Sequence, residues 1–591
     1  MFQPRRVAVW VFVLAILAIT LPDRYSLTTF HEANSAGRIY PLHAWFGYGS
    51  WSFEHILCRT GPGHGVLDMS LVDGRPVLQK APGLTWLAMI PYGIIWAVSG
   101  RPDFHWVSTI LTILCVLLPI LVCIFVLWRH FAFRFGDRMG LFGCAVLLLA
   151  SPVMVYSGLF MDYGLTALLI ATGFVWLQTE RLRVAFFLGV LFGAAITINY
   201  YAAAYVAVLV LVEIVRRRSF VWRYWATVAA GMLPPIAALL IYHTMVFGSP
   251  FATPYDFLNP VFASRMENLG FRWAPVWDAL VGGKNGMWLH APWTLFGLLG
   301  LLMAAIRPKA DYGDVVNGES RTIRCEALAG LGVLLVNMVF VSYWTGTHPD
   351  DAPFQRHMLP SYPFFAWGLT FFVRRVTHTR WESLRGAVLG AVAVGAFYPW
   401  LTSWTFPYHP SNLDSPIWQL NAPLMINGAH VAPLWYTLLD LPREGGPQWL
   451  GTGLAAAFTT LALVLAWKKG GLDPLPKRSV VGGALFAGAL MLAMVSGIAS
   501  DPNVDLDEST VSAILQKKKN GVPLQADEAV IAQRLALEKR EYSQAFELVY
   551  MSAFTDDVWR ERGFPGFRPA PPKRNWCDVA MPDALPTQKV K

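Results

Sequence analysis

Charge is the first thing this sequence is short of. Only 14% of its 591 residues are Asp, Glu, Lys or Arg, against about 25% in a soluble globular domain. That excludes an ordinary soluble enzyme. With 55% of residues hydrophobic, a disordered chain is excluded as well. Cysteine is also scarce: there are six, and none stands in C-x-x-C spacing, which argues against a disulfide scaffold, a zinc ribbon or a thioredoxin-type site. Cys115, Cys123 and Cys144 lie inside apolar runs and read as small buried hydrophobes. Glycine and proline follow no collagen-like period, so they interrupt helices rather than define a fibre. What remains is a polytopic membrane protein.

The net charge of +9 would suggest a nucleic-acid partner in a soluble chain. In a membrane chain the excess belongs to cytoplasmic loops, and no basic motif here sits on a soluble domain. No nucleic acid is therefore expected as a partner.

Arg5 and Arg6 precede the apolar run Val7–Pro22, which lacks a cleavage site and reads as a retained anchor. Further runs lie at Val107–Leu127, Met139–Tyr156, Tyr163–Leu177, Val184–Ile198, Ala202–Val215, Tyr224–Phe247, Met287–Ile306, Ala327–Tyr343, Leu359–Val373, Gly386–Trp404, Leu450–Trp467 and Ser479–Ala499. The expectation is an all-α bundle of about 13 transmembrane helices. Residues 1–499 form this membrane domain. Residues 500–591 form a small soluble tail, helical in apolar spacing at first and proline-rich after Pro565.

Orientation turns on Leu84–Ser99, an apolar run weakened by Pro91 and Gly93. If it lies along the outer face without crossing, Arg129, Arg134 and Arg138 face the cytoplasm. So do the clusters at Arg216–Arg218, Arg307–Arg324, Arg374–Arg385 and Lys468–Arg478. If it crosses, the bias reverses. The positive-inside rule therefore predicts a non-crossing juxtamembrane helix over 84–99. One long outer loop, 23–83, precedes it. The Asp-, His-, Tyr- and Trp-rich segments all fall outside, in the periplasmic or extracellular space. Cys58 and Cys577 share that oxidising side and can form a disulfide there.

The outer loops carry an ordered set of motifs. The first holds Asp23-Arg24-Tyr25, Asp68-Met69-Ser70, Asp73-Gly74-Arg75 and Lys80-Ala81-Pro82-Gly83. Later come Phe247-Gly248-Ser249-Pro250-Phe251, Gly283-Lys284-Asn285-Gly286 with Ala291-Pro292, and Gln355-Arg356-His357 with Leu359-Pro360. This order resembles bacterial membrane glycosyltransferases of the GT-C superfold, the group that includes protein O-mannosyltransferases and lipid A aminoarabinose transferases. The resemblance covers roughly residues 1–450. It departs at His348, Asp350 and Asp351, where relatives often have glycine, at Arg24 in place of a second acid, and at Asp162 in place of a histidine.

The resemblance implies transfer of a sugar from a polyprenyl-phosphate carrier to a lipid, glycan or protein acceptor of the envelope, at the outer face of a bacterial plasma membrane. Such a reaction needs a carboxylate to take the acceptor's proton and fixed positive charge for the leaving phosphate. Asp23 is the first polar residue after the first span, at headgroup depth, and is the favoured base; the alternative is an interfacial residue paired with Arg24. Asp68 and Asp162 are next, as catalytic carboxylates or as a solvated loop acid and a helix N-cap. Lys80, Lys284 and Arg356 are isolated cations in outer loops, where topology demands none, and are the phosphate-binding candidates; lipid-headgroup snorkelling is the alternative. His290 and His357 position sugar or phosphate, or are structural. No metal ligand set is assigned, although His348, Asp350 and Asp351 could hold a divalent cation or form a solvated turn. The competing classes are a lipid or sugar transporter, which would carry charge at mid-span, and a non-catalytic membrane scaffold.

Overall fold

The computed structural model describes residues 4–23, 33–54, 56, 69–100, 102, 104–258, 270–283, 286–308, 319–344, 354–376, 382–407, 415–426, 430–439 and 446–469, with isolated positions between 481 and 517. Asp68, Lys284, His348, Asp350, Asp351, Cys58, Cys577 and nearly all of the tail lie outside the described residues.

The chain is an all-α membrane-type bundle. Among the described residues each expected apolar run from Val7 to Trp467 is helical over most of its length, and five helices are long and apolar enough to cross a membrane on their own. The longest described stretch, Trp106–Phe135, is continuous through a π turn at Ile113–Leu117. The turn ends two residues before Pro119, whose missing N–H and bulky ring the wider turn accommodates.

Two runs expected as single spans are broken. Met139–Tyr156 divides into Asp137–Leu149 and Val153–Tyr156, and Met287–Ile306 into Met287–His290 and Trp293–Ile306. A third, Leu359–Val373, begins as a 3-10 turn, Arg356–Ser361, before the helix Tyr362–Val376. Each irregularity contains a proline, Pro152, Pro292 or Pro360, which cannot donate to the preceding turn. All three lie at the same end of the bundle.

That end is opposite the arginines. The helix Asp162–Leu177 finishes at a carbonyl that accepts hydrogen bonds from Arg217 Nη2 at 2.8 Å and from the Tyr224 hydroxyl at 3.1 Å. Arg216 and Arg217 both pair with Glu213, at 2.7 and 2.6 Å, and Arg134 pairs with buried Glu326 at 2.6 Å. Arg375 donates to the Arg307 carbonyl at 2.8 Å. One end of the bundle is thus an arginine belt, as the loop charges predict.

Helices meet through glycines. A Cβ on Gly189 would stand 2.0 Å from the Val228 carbonyl oxygen, and one on Gly300 1.8 Å from that of Gly368. Small residues let backbones approach this closely in membrane bundles, where packing replaces the hydrophobic drive.

The described residues between 33 and 83 are more structured than their sequence suggests. They include a helix, Ala33–Tyr48, which packs on the helix Gly83–Ser99 through His43 Nδ1 and the Tyr92 hydroxyl, 2.9 Å apart, and through Phe46 and Tyr92. Gly83–Ser99 buries Leu84, Thr85, Ala88 and Tyr92 and exposes Leu87, Ile90, Ile94 and Val98 on the other side. Before it, Met69–Val72 and Arg75–Leu78 form an antiparallel hairpin. Asp73 and Gly74 turn it with φ of 50° and 77°, the two left-handed positions of a type I′ turn. Ser70 Oγ donates to the Pro254 carbonyl at 2.6 Å, which fixes the hairpin against the segment after the helix Trp222–Phe247.

Gly83 sets the last constraint. A Cβ there would lie 2.5 Å from the Thr197 carbonyl carbon and 2.6 Å from its oxygen. Gly83→Ala is therefore expected to force the two backbones apart and destabilise the fold by about 1–3 kcal/mol. Gly453→Ala, where a Cβ meets nothing within 4 Å, is the matched control in a detergent unfolding titration. Equal midpoints for the two variants would refute the close approach.

Candidate functional site

The end opposite the arginine belt opens into a cleft. Five chain segments line it. The loop after the hairpin supplies Gln79 and Lys80; the start of the helix Asp162–Leu177 supplies Asp162 and Tyr163. The turn between the helices Leu182–Ile198 and Ala202–Arg217 supplies Asn199, Tyr200 and Tyr201; the 3-10 turn Pro254–Phe257 supplies Tyr255; the turn Arg356–Ser361 supplies Arg356 and His357. Gly83 matters here, because its contact with Thr197 presses the Lys80 segment onto the Asn199–Tyr201 turn.

Asp162 is the first residue of its helix, and Met161 at the cap position makes no side-chain cap. The carboxylate turns instead to two partners from other elements. Oδ1 accepts from Arg38 Nη2, and Oδ2 accepts from Asn199 Nδ2 at 2.7 Å. Arg38 comes from the helix Ala33–Tyr48, where its other terminal nitrogen donates to the Asn34 carbonyl at 2.8 Å and to the Asn34 side-chain oxygen. Thr85 Oγ1 donates to the Arg38 carbonyl at 3.1 Å. The side chains of Arg38 and Asp162 are 1% and 5% exposed. This is a buried ion pair that ties the first outer loop to the bundle. Each carboxylate oxygen has a second lone pair, so Asp162 keeps accepting capacity toward the cleft.

Lys80 and Arg356 are the cations among the described residues of the cleft lining. The Arg356 guanidinium lies 4.9 Å from the centre of the Tyr163 ring, a cation–π contact that orients the planar fork. Its turn is held from below: Asn337 Nδ2 donates to Ser361 Oγ at 2.6 Å, and the Tyr205 hydroxyl donates to Asn337 Oδ1. Phe354, just before the turn, has φ of 57°, a left-handed strain that the packed surroundings sustain.

The phenols of the cleft stay protonated. Burial drives the Tyr200 and Tyr201 hydroxyls well above the ordinary tyrosine range, with neighbouring phenols adding to the effect. They are neutral hydrogen-bonding groups at any physiological pH. His357 lines the cleft yet is ring-packed, 5.0 Å from Phe340 and 5.6 Å from Tyr163.

The structure thus brings together four of the residues singled out in the sequence, Lys80, Asp162, Arg356 and His357. Asp23 and His290 are not part of the lining. Asp23 is 1% exposed and its N–H donates to the Ala432 carbonyl at 2.8 Å, beside a bridge between Pro22 and Pro433. His290 Nδ1 contacts the Gly286 carbonyl at 2.8 Å, and its ring packs on Phe354 and Tyr398. Sequence reasoning passed over Arg38, Asn199, Tyr163, Tyr200 and Tyr201. Arg38 carried the signal that marked Lys80, an isolated cation in an outer loop. Asn199-Tyr200-Tyr201 is a polar interruption between two apolar runs. Among the described residues no three His, Cys, Asp or Glu side chains gather as a metal site.

No protein-family model matches the chain, and no curated protein does. Among solved structures the chain is similar to crystal structures of ArnT from Cupriavidus metallidurans. The form bound to undecaprenyl phosphate shows 15% identity and a TM-score of 0.45, covering 95% of this chain and 90% of that one. The apo form shows 15% identity and a TM-score of 0.44, covering 94% and 88%.

Proposed function

We propose that the protein is an integral-membrane glycosyltransferase that takes a sugar from a polyprenyl-phosphate carrier and passes it to a hydroxyl of an envelope lipid, glycan or protein. The observation that carries this reading is the meeting of Lys80 and Arg356, from segments remote in sequence, on one cleft at one end of an apolar bundle. A lipid phosphate sits in the headgroup layer, so its site must lie at the end of the bundle. An arginine belt at the opposite end supports, by the positive-inside rule, an outer, periplasmic cleft.

The chemistry follows from the lining. When the sugar leaves its carrier, the bridging oxygen keeps the electron pair and the phosphate gains negative charge. Lys80 and Arg356 offer charge-assisted hydrogen bonds to that developing charge. Tyr163 holds the guanidinium in place. The acceptor's proton goes to a carboxylate. The family resemblance nominates Asp23, and the cleft offers Asp162, with Arg38 and Asn199 orienting it.

The test is direct. Purified protein in lipid nanodiscs, given a panel of radiolabelled polyprenyl-phosphate hexoses and pentoses with envelope extract, is expected to release polyprenyl phosphate and label an acceptor. Asp23→Asn and Asp162→Asn, compared in that assay, identify the base by a loss of about 100-fold or more. Absence of release with every donor, or translocation of the intact donor without cleavage, would overturn the reading.

A further inference from the structure

One buried amide bears on the cleft without lining it. The helix Ser320–Trp344 contains one of the five spans, and Asn337 stands fully buried within its apolar run Val333–Val341. An amide in that setting is costly unless it is matched. Its Nδ2 donates to Ser361 Oγ at 2.6 Å and to the Met358 carbonyl at 3.4 Å, and its Oδ1 accepts from the Tyr205 hydroxyl. The two ends of the amide cannot be exchanged. A carbonyl only accepts, so the group that meets Met358 is the nitrogen, and the oxygen is left for Tyr205.

These three partners belong to two walls of the cleft. Met358 and Ser361 lie in the turn Arg356–Ser361, which carries Arg356 and His357. Tyr205 lies on the helix Ala202–Arg217, and the turn before that helix carries Asn199, Tyr200 and Tyr201. Phe340, three residues on from Asn337 and so on the same helix face, repeats the link. Its ring centre is 4.0 Å from that of Tyr201 and 5.0 Å from that of His357. One face of one spanning helix therefore touches both walls.

Packing alone does not call for the amide. Hydrogen bonds between helices add little stability in a membrane, because the unfolded chain finds partners there as well. Leucine, with the same branching at Cγ, would fill the position. What leucine lacks is direction: two N–H groups on a rigid helix that hold a carbonyl and a hydroxyl of one six-residue turn. We propose that Asn337 is a positioning residue for the phosphate subsite. It holds the turn Arg356–Ser361 where the Arg356 guanidinium both stacks on Tyr163 and meets a lipid phosphate. It acts through Arg356 and not through Lys80, whose segment is seated separately, by the contact of Gly83 with Thr197.

The inference rests on the phosphate reading of the cleft and deepens it. The probe is undecaprenyl phosphate, titrated into the full chain in nanodiscs. Asn337→Leu is expected to weaken binding about 10-fold, within the loss expected for Arg356→Ala, because a residue that acts through another cannot cost more. On top of Arg356→Ala the same change should cost less than about 2-fold, and on top of Lys80→Ala about 10-fold again. A purely structural role would lower affinity equally in both backgrounds. Ser361→Ala removes one of the two acceptors with a smaller change of shape, and covers the case in which Asn337→Leu does not fold. It is expected to cost about 3-fold in the same pattern. Hydrogen exchange, read by mass spectrometry without lipid, supplies the second measurement. The peptide over Arg356–Ser361 is expected to exchange about 10-fold faster in either variant, while the helix Asp162–Leu177 keeps its wild-type rate. Losses that add in the Arg356→Ala background, or unchanged exchange in the turn, would overturn the positioning role and leave the phosphate reading standing. A wild type that binds no undecaprenyl phosphate would overturn the phosphate reading, and this role with it.

Discussion

Arg38→Met costs the folded chain about 3–5 kcal/mol, the penalty for removing one member of a buried ion pair. The physical reason lies in what stays behind. Asp162 is 3% exposed, and its carboxylate would keep Asn199 as a partner but lose the charge that matches it. Asp162→Asn leaves the complementary fault, a buried guanidinium without the carboxylate charge that matches it. The double variant Arg38→Met with Asp162→Asn removes both charges and is expected to recover most of the loss. Equilibrium unfolding in mixed micelles measures all three against the wild type. Single variants within a few tenths of a kcal/mol of the wild type, or additive losses in the double, would refute the pair. The same cycle separates stability from catalysis: a double variant that folds but does not turn over assigns Asp162 to the chemistry.

The second large effect concerns the phosphate. Arg356→Ala and Lys80→Ala are each expected to weaken undecaprenyl phosphate binding by roughly 10–100-fold, since a hydrogen bond to a charged group is worth about 1.5–3 kcal/mol. Arg356→Lys should fall between, because it keeps the charge but loses the bidentate fork and the stacking on Tyr163. The control is Arg321→Ala. Arg321 donates to the Val215 carbonyl in the arginine belt, at the far end of the bundle, and its loss should leave affinity unchanged. Titration of labelled lipid into nanodiscs reads all four. Wild-type affinity in both alanine variants would remove the phosphate site from this cleft.

Asp23 shows how far a position along the chain can be trusted. Its place just after the first apolar run puts it beyond the C-terminal end of the helix Pro4–Thr20, a helix length away from Arg5 and Arg6. What it does there depends on the segment 430–434, which returns from a distant part of the chain: the Ala432 carbonyl takes the Asp23 N–H, and the Leu434 N–H donates to the Leu21 carbonyl at 2.6 Å. No local pattern encodes that docking. Lys80 and Arg356, which the structure brings to one cleft, stood out in the sequence for the opposite reason. A cation in an outer loop has no topological cause, so its presence alone is informative.

The sequence by itself determined the bundle, the apolar helices and the segregation of charge to one end, because each follows from the free energy of transferring single residues between water and lipid and needs no knowledge of neighbours. Only the tertiary structure decided that Arg38 meets Asp162, that the Tyr200 hydroxyl meets His243 Nε2, and that prolines at Pro152, Pro292 and Pro360 break helices at the cleft end. Hydrogen bonds and ion pairs act over a few ångströms between groups remote along the chain, so their pairing is fixed by how the helices pack.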